Sequence, residues 1–87
     1  MTFIQTDEAQ ERVNKLFLAA YNNDFMKLKK LVDSGVDITK KNNIPCYNCL
    51  NTVYGSYLNN NYRVTMFLLF KGASFRGNYD KWYLLFG

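Results

Sequence analysis

The sequence predicts an all-α protein built from a repeated αα-hairpin and closed by a C-terminal capping helix. Three observations carry this. Val13, Leu16, Phe17, Ala20 and Tyr21 fall at the i, i+3, i+4, i+7, i+8 spacing that gathers side chains on one face of a helix. A leucine followed by an aliphatic residue, two variable residues and a glycine occurs twice, as Leu31-Val32-Asp33-Ser34-Gly35 and as Leu68-Leu69-Phe70-Lys71-Gly72. In each half an asparagine cluster, Asn22-Asn23 or Asn59-Asn60-Asn61, interrupts the apolar pattern shortly before that ending.

Taken in order, the first helix is expected from Asp7, which can cap it, with Gln10 three positions on in the capping-box arrangement. Asp24 is a second potential N-cap, and Phe25, Leu28, Leu31 and Val32 give the second helix its apolar face. That helix should end at Gly35, since glycine suits the left-handed position just past a helix. Residues 36–43 read as a polar, extended connection. Pro45 then fits the first turn of a third helix, where its missing N–H costs nothing, and Cys46 to Leu58 reads as an aromatic-rich helical stretch. Tyr62 to Phe70 is the fourth helix, stopped by Lys71-Gly72 and apolar on nearly every side, as expected for a helix with neighbours on both faces.

The chain has 87 residues, enough for one domain (1–87) and too few for two separate cores. It is 48% hydrophobic and 21% charged, the balance of a globular protein rather than a disordered one. Seven Phe, seven Tyr and one Trp should dominate the core. Met66 to Phe70 is the longest strongly apolar run, far short of the roughly 20 residues of a membrane-spanning helix. Residues 1–10 lack a basic stretch followed by an apolar one, so a secretory signal is not expected and the expected location is cytoplasmic. The net charge of +4 favours acidic partners, although the cations are dispersed and no dense arginine run appears.

Aligning Gly35 with Gly72 places Leu31 to Val36 over Leu68 to Ala73, and both copies resemble the L-L-x-x-G-A ending of an ankyrin repeat. Upstream, Leu16 to Asp24 resembles the family's L-H-x-A-A-x-x-G-H, with Ala19 and Ala20 at the small-residue positions, Phe17 for the usual His and Asn23 for the usual Gly. Gly35-Val36-Asp37-Ile38-Thr39 is similar to G-A-D-V-N, and Ile44-Pro45-Cys46-Tyr47 to the T-P-L-H opening. The two glycines are 37 residues apart, whereas the typical ankyrin period is about 33. The second copy therefore holds an insertion, either in its first helix or in the turn over residues 57–61. The resemblance implies a short ankyrin-like solenoid with one repeat over about 11–43, a divergent second over about 44–77 and a terminal cap over 78–87. In that cap, Tyr79 to Phe86 would pack on Met66, Phe67 and Phe70, while Phe3 and Ile4 would cover the other end. The same apolar tail could instead be a docking surface, for a second copy of the chain or for the partner.

Chemistry-bearing constellations are sparse. Cys46 and Cys49 form a CxxC, but without histidine or further cysteine one chain offers two good zinc ligands where a structural site needs four. A small buried apolar role is the expectation for both. The absence of histidine removes Ser/His/Asp and Cys/His nucleophile systems, and no phosphate-cradling glycine motif is present. No enzyme activity, cofactor or metal is expected.

The resemblance implies a protein-binding module, because ankyrin proteins bind partners through inter-repeat tips and the concave face of the first helices. Carried over, these positions are Arg12, Lys15, Asn23 and Asp24, then the tip Lys40, Lys41, Asn42 and Asn43, with Tyr47 opening the second row. The alternatives are a basic nucleic-acid-binding module, with tyrosines available for stacking, and a CxxC thiol redox protein. The abundance of Asn, Lys, Tyr and Ile suggests an AT-rich genome. Short divergent ankyrin proteins of that kind resemble effectors that viruses and intracellular bacteria direct at host proteins in the host cytoplasm.

Overall fold

The computed structural model describes residues 7–47 and 50–75. Within them lie four α-helices and no strand: α1 (Glu8–Tyr21), α2 (Phe25–Asp33), α3 (Thr52–Leu58) and α4 (Tyr62–Phe70), with a 3₁₀ turn over Pro45–Tyr47. α1 packs on α2, α3 on α4, and α1 on α3, so two helical hairpins lie side by side. The expected terminal cap, Phe3, Ile4 and Cys49 lie outside the described residues.

Three of the four helices start at a side-chain cap, while Asn61 ahead of α4 makes no such bond. The Asp7 carboxylate accepts from the N–H groups of Ala9 (3.1 Å) and Gln10 (3.4 Å), Asp24 accepts from Lys27 (3.2 Å), and Asn51 accepts from Tyr54 (3.0 Å). These bonds satisfy donors that the first turn of a helix leaves unpaired. The reciprocal half of a capping box at Gln10 does not form. Its amide reaches Asn14 (3.0 Å) and the Lys41 carbonyl (3.1 Å) instead, tying α1 to the loop ahead of α3.

The two hairpins obey one register. The turn after α1 closes through Asn23 N–H to Ala20 O (3.2 Å) and Asp24 N–H to Ala19 O (2.8 Å). Thirty-seven positions later, Asn60 bonds Tyr57 (3.0 Å) and Asn61 bonds Ser56 (2.9 Å). Asn23 and Asn60 both sit at φ 61°, a left-handed conformation that asparagine tolerates better than most residues. Both hairpins also end in the same glycine-terminated motif. Val36 N–H reaches Leu31 O (3.3 Å) and Gly35 N–H reaches Val32 O (3.0 Å); Ala73 and Gly72 repeat the pair on Leu68 and Leu69, both at 3.0 Å.

Gly35 (φ 94°) and Gly72 (φ 101°) have open space where a Cβ would stand, so an alanine there suffers backbone strain without a clash. Gly35→Ala and Gly72→Ala should each cost about 1–2 kcal/mol, and Gly35→Asn distinctly less. Urea unfolding midpoints check this, and an unmoved midpoint for both alanine variants would refute the shared ending.

The constant offset also locates the extra residues. It holds from Thr52 to Ala73, which excludes an insertion in the 57–61 turn, and α3 starts at Thr52, capped by Asn51, rather than at Pro45. The position equivalent to Asn51 is Asn14, well inside α1, so α3 is the shorter helix and the 36–51 connection is correspondingly long. That connection is closed by the Asn42 N–H to Leu50 O bond (2.9 Å) and an isolated antiparallel bridge between Lys41 and Asn51.

The core cluster runs through both hairpins: Leu16, Ala19, Ala20 and Leu28 from the first, with Val53, Val64, Leu68 and Ala73 from the second. Tyr54 and Phe17 are the largest fully buried side chains, but the rest of the described core is largely aliphatic, and Tyr57, Tyr62 and Phe70 are exposed. Aromatic content is therefore a weaker guide to burial than expected. Where the first hairpin pairs Ala19 and Leu28, the second has Ser56 and Thr65, whose buried hydroxyls bond each other at 2.7 Å. Between hairpins, Asn61 donates to Ala20 O and Tyr21 O (2.8 Å each), and Asn59 donates to Tyr21 O (2.6 Å). These amides cover the last carbonyls of α1, which lack partners within their own helix.

Candidate interaction surface

The residues singled out from the sequence divide between the two ends of α1. With 14 residues and a rise of 1.5 Å each, that helix separates its ends by about 20 Å. Asn23 and Asp24 lie at the C-terminal end, exposed, but each shapes the fold: Asn23 supplies the left-handed turn and Asp24 caps α2. The Lys40–Asn43 loop lies at the other end, where Asn43 N–H bonds Asn14 Oδ1 (3.1 Å) and Asn14 donates to Asn43 Oδ1 (2.8 Å). The structure thus brings Arg12 and Lys40 together, and does not bring either near the Asn23-Asp24 turn.

Arg12 and Lys40 line one hollow of about 400 Å³ with Glu8, Ala9, Val13, Gly35, Val36 and Asp37. Its rim is mixed in charge. Asp37 is held below the usual carboxylate range, chiefly by the Thr39 hydroxyl (2.6 Å), then by the Thr39 N–H (2.9 Å), with a smaller push from Lys40. A carboxylate engaged in this way shapes its own loop and leaves Arg12, Lys15, Lys40 and Lys41, all exposed, as the free-standing cations of this end.

Two expectations are corrected. Asn42, assigned to the exposed tip, is 2% exposed: its amide donates to Tyr47 O (2.7 Å) and Leu50 O (2.8 Å), and its carbonyl accepts from Ile44 N–H (2.8 Å). An asparagine can satisfy donors and acceptors of a tight loop at once, and a buried loop backbone requires that. Cys46, expected to be buried on a helix, is exposed on the 3₁₀ turn, because the loop closed around Asn42 takes up Pro45–Tyr47 and α3 begins only at Thr52. Tyr47 is half-buried, its ring 5.4 Å from that of Phe17 and 4.8 Å from that of Tyr21, so it packs the loop onto α1 while keeping one edge in solvent.

The residues that sequence reasoning missed as surface are on α4. Phe67 turns inward, half-buried and edge-on to Phe25 (5.1 Å), whereas Tyr62, Met66, Leu69 and Phe70 are exposed. The 37-residue register was the available signal, because it sets Met66 and Phe70 over Lys29 and Asp33, an exposed ion pair in α2.

Among the described residues no cluster of three or more His, Cys, Asp or Glu could hold a metal ion, and no helix is long and apolar enough to cross a membrane. No family model matches the chain, and no curated protein or solved structure matches it.

Proposed function

We propose that the chain is a protein-binding module of the ankyrin type whose contact surface includes the loop end of the first hairpin. The observation that carries the reading is the repeated hairpin with one 37-residue register, with Lys40 and Lys41 on the connection between units and Lys40 beside Arg12 of α1. In the corrected register Asn51-Thr52-Val53-Tyr54, rather than the segment around Pro45, stands opposite the T-P-L-H opening, and the connection before it is about four residues longer than typical. A longer, internally bonded loop gives a preorganised surface, which lowers the ordering cost of binding. Exposed lysines on such a rim act mainly through charge complementarity, steering an acidic partner and fixing its orientation.

Lys40→Glu/Lys41→Glu tests this in a pull-down from the native cell against wild type. Both side chains are exposed, so folding should be unchanged, and partner recovery should fall about tenfold or more, equivalent to about 1.4 kcal/mol. Unchanged recovery with an unchanged melting curve would remove this loop from the interface.

A further inference from the structure

α4 presents to solvent a face that its counterpart in the first hairpin does not. At 100° per residue, Tyr62, Met66, Leu69 and Phe70 form one stripe along the helix, roughly opposite Val64, which is buried. Met66 is 55% and Phe70 85% exposed, where α2 has Lys29 and Asp33 joined by an exposed ion pair at 3.1 Å. A lysine–aspartate pair is what a solvated helix surface carries; a methionine and a phenylalanine at those positions have an apolar contact to make. Met66, Leu69 and Phe70 also enclose a shallow hollow of about 230 Å³, enough for one large apolar side chain.

Charge narrows the choice of occupant. Residues 38–79 contain Lys40, Lys41, Arg63, Lys71 and Arg76 and not one Asp or Glu. Arg63 is exposed beside the stripe, on the side of the first hairpin, where it lies over the Phe25 ring (4.6 Å); Lys71, exposed at the C-cap, lies over the ring of the inward-turned Phe67 (5.5 Å). A second copy docking through this face would meet the same acid-free segment and supply no counter-charge, since a two-fold interface opposes a patch to itself. The chain's own residues 79–86 bring Asp80 and Lys81, a net charge of zero.

We propose that the α4 stripe docks an acidic segment of a partner protein that inserts one large apolar side chain between Met66, Leu69 and Phe70 and sets a carboxylate against Arg63. This rests on the protein-binding reading and assigns it a second surface, distinct from the Lys40–Lys41 loop. Apolar anchoring with flanking charge is a recurring mode of peptide recognition.

The probe is a fluorescein-labelled peptide of about 16 residues, with leucines and one phenylalanine on one helical face and glutamates on the other. A matched peptide carries lysines in place of the glutamates. Fluorescence anisotropy with the full chain should show saturable micromolar binding of the acidic peptide, weakened by salt, and at least tenfold weaker binding of the lysine version. Met66→Lys/Phe70→Asp rebuilds on α4 the pair found in α2 and should fold as wild type while binding at least tenfold more weakly. Equal binding by this variant, or no binding of the acidic peptide by wild type, overturns the proposal. Loss of binding in Lys40→Glu/Lys41→Glu alone would also overturn it, while leaving the protein-binding reading intact. The other occupants have their own signatures, and either one overturns it. A red shift of Trp82 emission in Met66→Lys/Phe70→Asp without peptide would show the chain's own tail on the stripe, and a sedimenting dimer lost in that variant would show a second copy.

Discussion

Gly55→Leu is expected to leave the chain unfolded at 25 °C, the largest effect foreseen for any single substitution. Gly55 lies in α3 where that helix crosses α1, and a Cβ built there would run into the Phe17 ring. Phe17 has no room to yield, being fully buried with the rings of Tyr21 (5.9 Å) and Tyr47 (5.4 Å) against it. Even alanine, which gains about 0.5–1 kcal/mol of helix propensity over glycine, should be net destabilising, because overpacking costs about 1–3 kcal/mol and the intruding atom meets a rigid ring. Leucine adds three more heavy atoms to the same space. A small domain has only about 5 kcal/mol to lose at the low end of the usual range. Circular dichroism on heating checks this: Gly55→Ala should melt below wild type, and Gly55→Leu should show no cooperative transition. Phe17→Ala supplies the control, since leucine at position 55 should be tolerated better in that background than in wild type. A wild-type melting curve for Gly55→Leu would mean that α1 and α3 do not approach at this point.

The crossing at Gly55 could not be read from the sequence, because a lone glycine in an aromatic stretch signals close approach without naming what approaches. The local signals read well. Asp7 and Asp24 start helices as expected, the asparagine turns fall where the apolar pattern breaks, and α4 has the expected bounds. Among the helix bounds the failure was confined to α3, and it has a physical cause. Cys46, Cys49, Leu50, Val53, Tyr54, Tyr57 and Leu58 keep a helical spacing throughout, and Pro45 supplies a plausible first turn, so pattern and punctuation agree on a helix six or seven residues too early. What overrides them is polar and non-local: Asn42 draws the backbone at Tyr47 and Leu50 around itself, and Asn51 supplies the actual cap. Hydrogen bonds of this kind have no period. The exposed stripe on α4 was hidden for the opposite reason, since an apolar residue reads as core until its structural counterpart, here an ion pair, is known.

Asn42→Asp should destabilise the chain by about 3 kcal/mol or more, although it replaces a residue of the same size in a loop first read as contact surface. The amide of Asn42 donates to two carbonyls, those of Tyr47 at 2.7 Å and Leu50 at 2.8 Å, while its oxygen accepts from Ile44 N–H at 2.8 Å. A carboxylate keeps the third bond and turns the first two into contacts between a negative oxygen and carbonyl oxygens. Both carbonyls keep a backbone donor, Leu50 O from Asn42 N–H (2.9 Å) and Tyr47 O from Leu50 N–H (3.3 Å), so the cost comes from the repulsion and from an almost fully buried charge without a partner. Protonation would restore one donor, so the introduced carboxyl should titrate well above the usual carboxylate range and the variant should gain stability relative to wild type as pH falls toward it. The sign follows from linkage: a carboxyl whose pKa is raised by folding is a net cost above its unfolded value, and the cost shrinks as the folded form takes up a proton. Asn42→Ala, lacking the charge, should cost less than Asn42→Asp at neutral pH and show no such pH dependence. Urea unfolding of both variants at pH 7 and pH 5 distinguishes the cases. If both unfold as wild type does while partner recovery falls, Asn42 is a contact residue after all, and the loop owes its shape to something other than this side chain.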